Sequence, residues 1–234
     1  MKRTLPLPAA AVSLLAAAHP AGAVQDVAAE ARVGTMGIGV GVTVPVHERF
    51  AVRAGAGILG FDLDLTGRFG VDDDRTAKVT LPKALFTLGA DVRLRSLRLG
   101  AGVLLKSGQP AYRVTLDPGA NIVIGSGTYE ETEVKTLTTT LSSGAAAPYF
   151  LLGFGSHSSS GFSFAADVGV ALPSGVNFIL TAAGDEAVIS SESFRVDLAQ
   201  ETKETDADAG GIVNYWPIVS VGVRYGFRLG GPRE

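Results

Sequence analysis

From Trp216 to Phe227 the chain reads Trp-Pro-Ile-Val-Ser-Val-Gly-Val-Arg-Tyr-Gly-Phe, and its alternate positions divide cleanly. Val219, Val221, Val223, Tyr225 and Phe227 share one face, and Ile218, Ser220, Gly222, Arg224 and Gly226 share the other. Successive strand side chains point to opposite faces, so this stretch predicts a strand with one apolar, aromatic-tipped face and one small or charged face. Two folds can use such a strand. A soluble sandwich turns the apolar face toward a core. A transmembrane barrel turns it toward lipid, with the aromatics at the interfacial girdle.

The remaining strands favour the barrel. Over Thr35 to Val44, Met36, Ile38, Val40, Val42 and Val44 oppose Thr35, Gly37, Gly39, Gly41 and Thr43. A soluble strand commonly carries Lys, Glu or Gln on its outer face. Glycine and threonine suit the crowded interior of a narrow barrel. Pro45 to Glu48 reads as a turn. Phe50 to Leu65 follows, with Arg53, Gly55 and Gly57 opposite its apolar face and a phase flip between Gly57 and Gly60 that predicts a β-bulge. Thr80 to Arg93 places Lys83, Thr87, Gly89 and Asp91 on the small-residue face, and Leu97 to Lys106 does the same with Arg98, Gly100, Gly102 and Lys106. Val134 to Ser142 and Ala147 to Gly155 read as one strand with a phase change around Gly144. Phe162 to Leu172 is the next, carrying Asp167 on its polar face, and Val176 to Thr181 continues it past Pro173 to Gly175.

The connections alternate in length. Pro45 to Glu48, Arg95-Ser96 and His157 to Ser160 are short. Thr66 to Lys78, Ser107 to Glu133 and Ala183 to Asn214 are long and polar, and the last two are acidic. The second contains a hairpin over Asn121 to Glu130 that turns at Gly125-Ser126-Gly127, and the third a short helix within Ser191 to Asp206. Short periplasmic turns opposite long outer loops are the pattern of outer-membrane barrels. Seven long strands are evident, and parity requires an eighth, placed around Val27 to Gly34. The fold class expected is all-β: an eight-stranded antiparallel up-and-down transmembrane β-barrel with long extracellular loops.

Composition agrees. Residues 1–23 have the layout of a secretory signal peptide: Lys2 and Arg3, an apolar stretch from Ala9 to Ala18, and a small-x-small site at Ala21-Gly22-Ala23. The barrel domain is then 24–234. No later run is long and apolar enough for a spanning helix, so a membrane-crossing chain of this kind must be a closed barrel. The chain has no cysteine, which excludes disulfides, thiolate metal sites and thiol catalysis. A formal charge of −3 with no basic block argues against nucleic acid as a partner.

Three stretches resemble a known family. Val33-Gly34-Thr35-Met36-Gly37-Ile38-Gly39 is similar to the Val-Gly-Thr-x-Gly-x-Gly opening of small Gram-negative outer-membrane proteins. Ala147 to Gly155 resembles their Ala-Pro-Tyr-Leu-Gly-x-Gly-[Trp/Phe]-Gly strand, with Leu151 in place of its first glycine. Tyr215 to Phe227 resembles their closing Trp-x-Pro-Val-x-x-Gly-x-x-Tyr-x-Phe. The group includes the ornithine-uptake porins linked to carbapenem susceptibility. The resemblance implies the barrel, an outer-membrane location and, at most, passage of basic amino acids. Ser220, Gly222, Tyr225 and Phe227 also resemble the signal read by the barrel assembly machinery, although Arg228 to Glu234 follow it where such signals end the chain.

Candidate functional residues lie on the inward faces. Arg53, Asp91, Arg98, Asp167 and Arg224 all point into the barrel in the periplasmic half or near mid-height. Isolated buried charges are costly, so these five are expected to pair. Two readings stay open: a plug of ion pairs filling a narrow barrel, or a charged path in which Asp91 and Asp167 attract small cationic solutes. A third places function in the acidic outer loops as a binding surface. His47 and His157 fall in predicted turns, and no Ser, His and acid combination converges at one depth, so no enzymatic activity is expected. The triplet Asp72-Asp73-Asp74 lacks the further spaced ligands of a cation loop. No metal and no cofactor is expected, and the partners expected are membrane lipid, the assembly machinery and small solutes.

Overall fold

The structure is a computed structural model that describes residues 25–60, 62–67, 72–155, 161–209 and 213–229. The signal peptide expected over residues 1–23 and the turn expected at His157 to Ser160 lie outside the described residues. In chain order the strands are β1 (Gln25–Gly34), β2 (Gly37–His47), β3 (Phe50–Ile58), β4 (Asp62–Asp64), β5 (Arg75–Thr80), β6 (Ala84–Leu94), β7 (Leu97–Ser107) and β8 (Ala111–Leu116). They continue with β9 (Asn121–Ile124), β10 (Gly127–Glu130), β11 (Val134–Ser142), β12 (Ala146–Gly155), β13 (Gly161–Ala171), β14 (Asn177–Gly184) and β15 (Trp216–Leu229). Two helices, α1 (Glu186–Ile189) and α2 (Glu192–Ala209), separate β14 from β15.

Eight strands close into an antiparallel barrel in the order β1-β15-β13-β12-β7-β6-β3-β2. The expected N-terminal strand is β1. It pairs with β15 through Val33↔Val221 and Val27↔Phe227, and with β2 through Val33↔Ile38, which completes the ring. The outward residues are apolar and open: Ile38 is 73% exposed and Val40 64%. Phe86, Leu88, Phe150, Phe162, Phe164 and Val221 are exposed with them. A band of this kind around a ring with no free edge is a lipid-facing surface. Phe162 and Tyr225 meet edge to face at 4.8 Å near the periplasmic rim, where an aromatic girdle belongs.

The predicted turn at Pro45 to Glu48 begins later. β2 runs to His47, with a register shift between Pro45 and His47, and the turn is Glu48-Arg49. An extra residue in one strand is absorbed by a local bulge, so the proline does not end the pairing.

The flip after Gly57 is not a bulge within one strand. β3 ends at Ile58, and β4 belongs to a second sheet. Similarly, β11 and β12 are two strands in two sheets, broken at Ser143 to Ala145. The outer connections are therefore not loops. β4, β5, β8, β11 and β14 form a five-stranded sheet in the order β14-β11-β8-β5-β4. These strands adjoin β13, β12, β7, β6 and β3 in the chain, and the second sheet repeats the order of those five in the barrel. One wall thus continues upward past a crease. Backbone hydrogen bonds cross the crease, among them Leu59 N–H to Lys83 O at 3.2 Å, Lys83 N–H to Ser107 O at 3.0 Å and Lys106 N–H to Ala145 O at 2.9 Å. Gly60, Pro82, Pro110, Gly144 and Pro173 mark the five breaks, consistent with their weak fit to a continuous ladder. The opposite wall stays low, because β1 and β2 are joined only by Thr35-Met36.

The β9–β10 hairpin forms as predicted, with Gly125-Ser126 as its turn. The helical stretch is longer than expected, running to Ala209. It docks on the hairpin and upper sheet through Phe194, which is 1% exposed and packs with Ile124 and Val134. Tyr129 meets Phe194 edge on at 5.1 Å. Asp197 fixes the hairpin turn: it accepts from Tyr129 Oη at 2.6 Å and Ser126 Oγ at 2.7 Å, while Glu201 accepts from Gly125 N–H at 2.9 Å. Gly125 has φ of 56°, and a Cβ there would lie 2.5 Å from the Asp197 carbonyl oxygen, so this turn requires glycine.

The same contact predicts a pH response. The bond from Tyr129, and then that from Ser126, holds the Asp197 carboxyl below the usual carboxylate range, while the bond to Asp197 pushes the Tyr129 phenol up to about 12. A lowered acid contributes stability above its unfolded value, about 3.9, and loses it as pH falls through its folded value. A raised phenol contributes below about pH 10 and loses it as pH rises toward 12. Tyr129 is therefore expected to ionise late in an absorbance titration at alkaline pH, and Tyr129→Phe is expected to reduce the late part of the titration. A late part of the titration left unchanged by Tyr129→Phe would contradict the docking.

Candidate functional site: the barrel interior

The inward positions form two layers. The lower layer is charged and comes from six strands. β1 supplies Glu30 and Arg32, β3 Arg53, β6 Asp91, β7 Arg98, β13 Asp167 and β15 Arg224, and all seven are buried. The pleat places them there. Glu30 pairs in register with Arg224, while Arg98 and Asp167 both face Gly153 from the two flanking strands. Arg53 binds Glu30 at 2.8 Å and Asp167 at 2.9 Å. Arg224 holds Glu30 from the other side at 2.8 Å. Arg98 bridges Asp167 and Asp91, the latter at 3.5 Å. Arg32 donates to Thr87 Oγ1 at 3.3 Å.

Glycine is what makes room for this layer. A Cβ on Gly153 would fall 2.0 Å from Arg98 Nε and 2.4 Å from its Cγ, so the arginine stem lies flat across the glycine. Gly55 does the same for Arg32, whose guanidinium a Cβ there would meet at 2.6 Å, so these two glycines are seats for long charged side chains, as close packing in an interior this narrow requires.

The upper layer is apolar. Met36, Leu59, Leu85, Leu104, Tyr149, Leu151 and Ile218 are buried together toward the outer mouth, with Leu81 and Trp216 packed against them. A charged solute passing this layer would lose its hydration with no compensating partner, at a cost of several kcal/mol.

All five residues singled out in the sequence, Arg53, Asp91, Arg98, Asp167 and Arg224, lie in one network. Glu30 and Arg32 were not singled out. Their signal was present in Val27 to Gly34, where Glu30 and Arg32 alternate with Ala29, Ala31 and Val33. Ser220 points inward and is buried, and Gly222 lies against β1, where a Cβ would be 2.5 Å from the Ala31 carbonyl oxygen. Tyr225 points outward. Phe227 stacks beside Tyr225 at 6.4 Å, and β15 runs on to Leu229. His47 ends β2 beside Phe50, their rings 6.0 Å apart, and is exposed. Asp72 and Asp74 pair with Arg75 at 3.1 and 2.7 Å. Among the described residues no three His, Asp or Glu side chains are grouped to hold a metal.

No protein-family model and no curated protein matches the chain. Solved structures with the same fold include two outer-membrane proteins. The crystal structure of CarO2 from Acinetobacter baumannii superposes with a TM-score of 0.57 at 20% identity, over 88% of this chain and 100% of that one. That of Acinetobacter baumannii CarO gives 0.54 at 17% identity, over 86% and 97%. The barrel expected from the three strand motifs is the fold of these outer-membrane proteins.

Proposed function

We propose that this chain is a porin-like outer-membrane barrel whose lumen is sealed, and that it presents a folded β-sheet and helix on the cell's outer face. One observation carries the reading: the seven lumen charges are held close together, six of them in ion pairs, and an apolar layer lies above them. In this reading Arg53, Asp91, Arg98, Asp167 and Arg224, with Glu30 and Arg32, are a plug. The alternative is passage of small cationic solutes drawn by Asp91 and Asp167. Each of those carboxylates already faces an arginine, so little negative field is left for a cation. Ser220, Gly222, Tyr225 and Phe227 are proposed as the assembly signal, on the strength of the motif and of their place on the strand that closes the ring.

Flux into proteoliposomes tests the proposal. Lysine, glycerol and acetate should enter no faster than into protein-free vesicles. Lysine entry proportional to the amount of folded barrel would favour the path instead.

A further inference from the structure

A cavity of about 430 Å³ lies in the crease between the barrel and its upper sheet. Its size is that of a pocket for a small molecule, for which about 300–1,000 Å³ is usual. Leu59, Leu104 and Ala147 line it from the barrel, Leu141 from the upper sheet, and Trp216 from the head of β15. The lining is almost wholly apolar, and its one charged side chain among the described residues is Lys106.

Lys106 is inward-facing and half-buried, level with Leu85 across the ladder. Its ammonium donates to Gln109 Oε1. That amide is itself fixed by the Ser143 backbone, donating to Ser143 O at 2.8 Å and accepting from Ser143 N–H at 3.3 Å. Lys106 has no ion pair among the described residues, whereas every arginine in the lower layer except Arg32 has one. An ammonium has three donors, and a charge beside an apolar wall gains most from an opposite charge.

We infer that this crease is a binding site for an amphipathic monocarboxylate, its aliphatic body on the Leu59, Leu104 and Leu141 surface and its carboxylate on Lys106. An apolar chamber selects the body. The single cation, set in it without an acidic partner, selects the head. The inference goes beyond the sealed-lumen reading and does not depend on it, because the crease lies above the lumen charges whether or not they conduct.

Trp216 is the only tryptophan of the chain and lines the cavity, so its emission reports occupancy. The protein is placed in phosphatidylcholine nanodiscs and titrated with octanoate, octanol and octylammonium. Octanoate is expected to give a saturable shift at about tenfold lower concentration than octanol, the factor expected from one charge-assisted hydrogen bond, and octylammonium to bind more weakly than either. Lys106→Met should bring octanoate to the level of octanol and leave octanol unchanged. Equal responses to the three probes in the wild-type protein would mean a plain apolar crevice or membrane partitioning and would overturn the inference. So would octanoate binding that survives Lys106→Met. The three-probe comparison needs no variant, so a misfolded mutant does not rescue the proposal.

Discussion

Replacing Asp167 with leucine is expected to destabilise the barrel by about 3–5 kcal/mol, the usual cost of removing one partner from a buried ion pair. Asp167 is the shared anion of Arg53 and Arg98, both almost fully buried. Its loss leaves Arg98 with only the 3.5 Å contact to Asp91, and Arg53 with Glu30, which Arg224 already shares. The charge balance worsens as well, since the layer has four arginines against three carboxylates before the change. Asp167→Asn keeps an acceptor and should cost less than Asp167→Leu. Urea unfolding in lipid vesicles, followed by the gel shift between folded and heated forms, measures both. A leucine variant as stable as the parent would mean that the arginines are solvated, and that the interior is an aqueous path.

The second large effect is steric. Gly153→Ala is expected to cost about 1–3 kcal/mol, the range for overpacking a close-packed interior. The new Cβ would occupy the position of the Arg98 stem, and moving that stem pulls the guanidinium from Asp167. The cause can be isolated by a double-mutant cycle. In an Arg98→Ala background the same Gly153→Ala change should cost much less, since the three atoms nearest the new Cβ all belong to the Arg98 side chain and are removed. Equal costs in the two backgrounds would assign the effect to strand conformation instead of to the seat for Arg98.

Both predictions rest on residues whose direction could be read from the sequence. A period of two is a local property, and it told inside from outside for Arg53, Asp91, Arg98, Asp167 and Arg224. Which side chains meet is not local. Arg53 and Asp167 are far apart in the chain and come together only because the ring closes. Glu30 and Arg32 do not stand out in the sequence because β1 is rich in alanine, and because Thr35-Met36 reads as part of the following strand. The second sheet is hidden for a related reason. The phase flip at Gly57 to Gly60 marks a change of local direction, and a bulge and a crease produce the same mark. Only the pairing of β4 with β5, and of β5 with β8, distinguishes them. β8 itself, Ala-Tyr-Arg-Val-Thr-Leu, is short and mixed, so its strand character comes from two neighbours that the sequence does not name.

The upper sheet also changes where function is sought. An acidic crown of solvated loops offers little to bind. A sheet continuous with the barrel wall, buttressed by α2 through Phe194 and Asp197, is a defined surface with its own core.

The central claim is the sealed lumen, and single-channel recording in planar bilayers tests it most directly. Refolded, heat-modifiable protein is predicted to give no discrete openings in potassium chloride at either polarity. Reproducible, cation-preferring steps from the same preparation, altered by Asp91→Asn or Asp167→Asn, would contradict it and place a path through the charged layer.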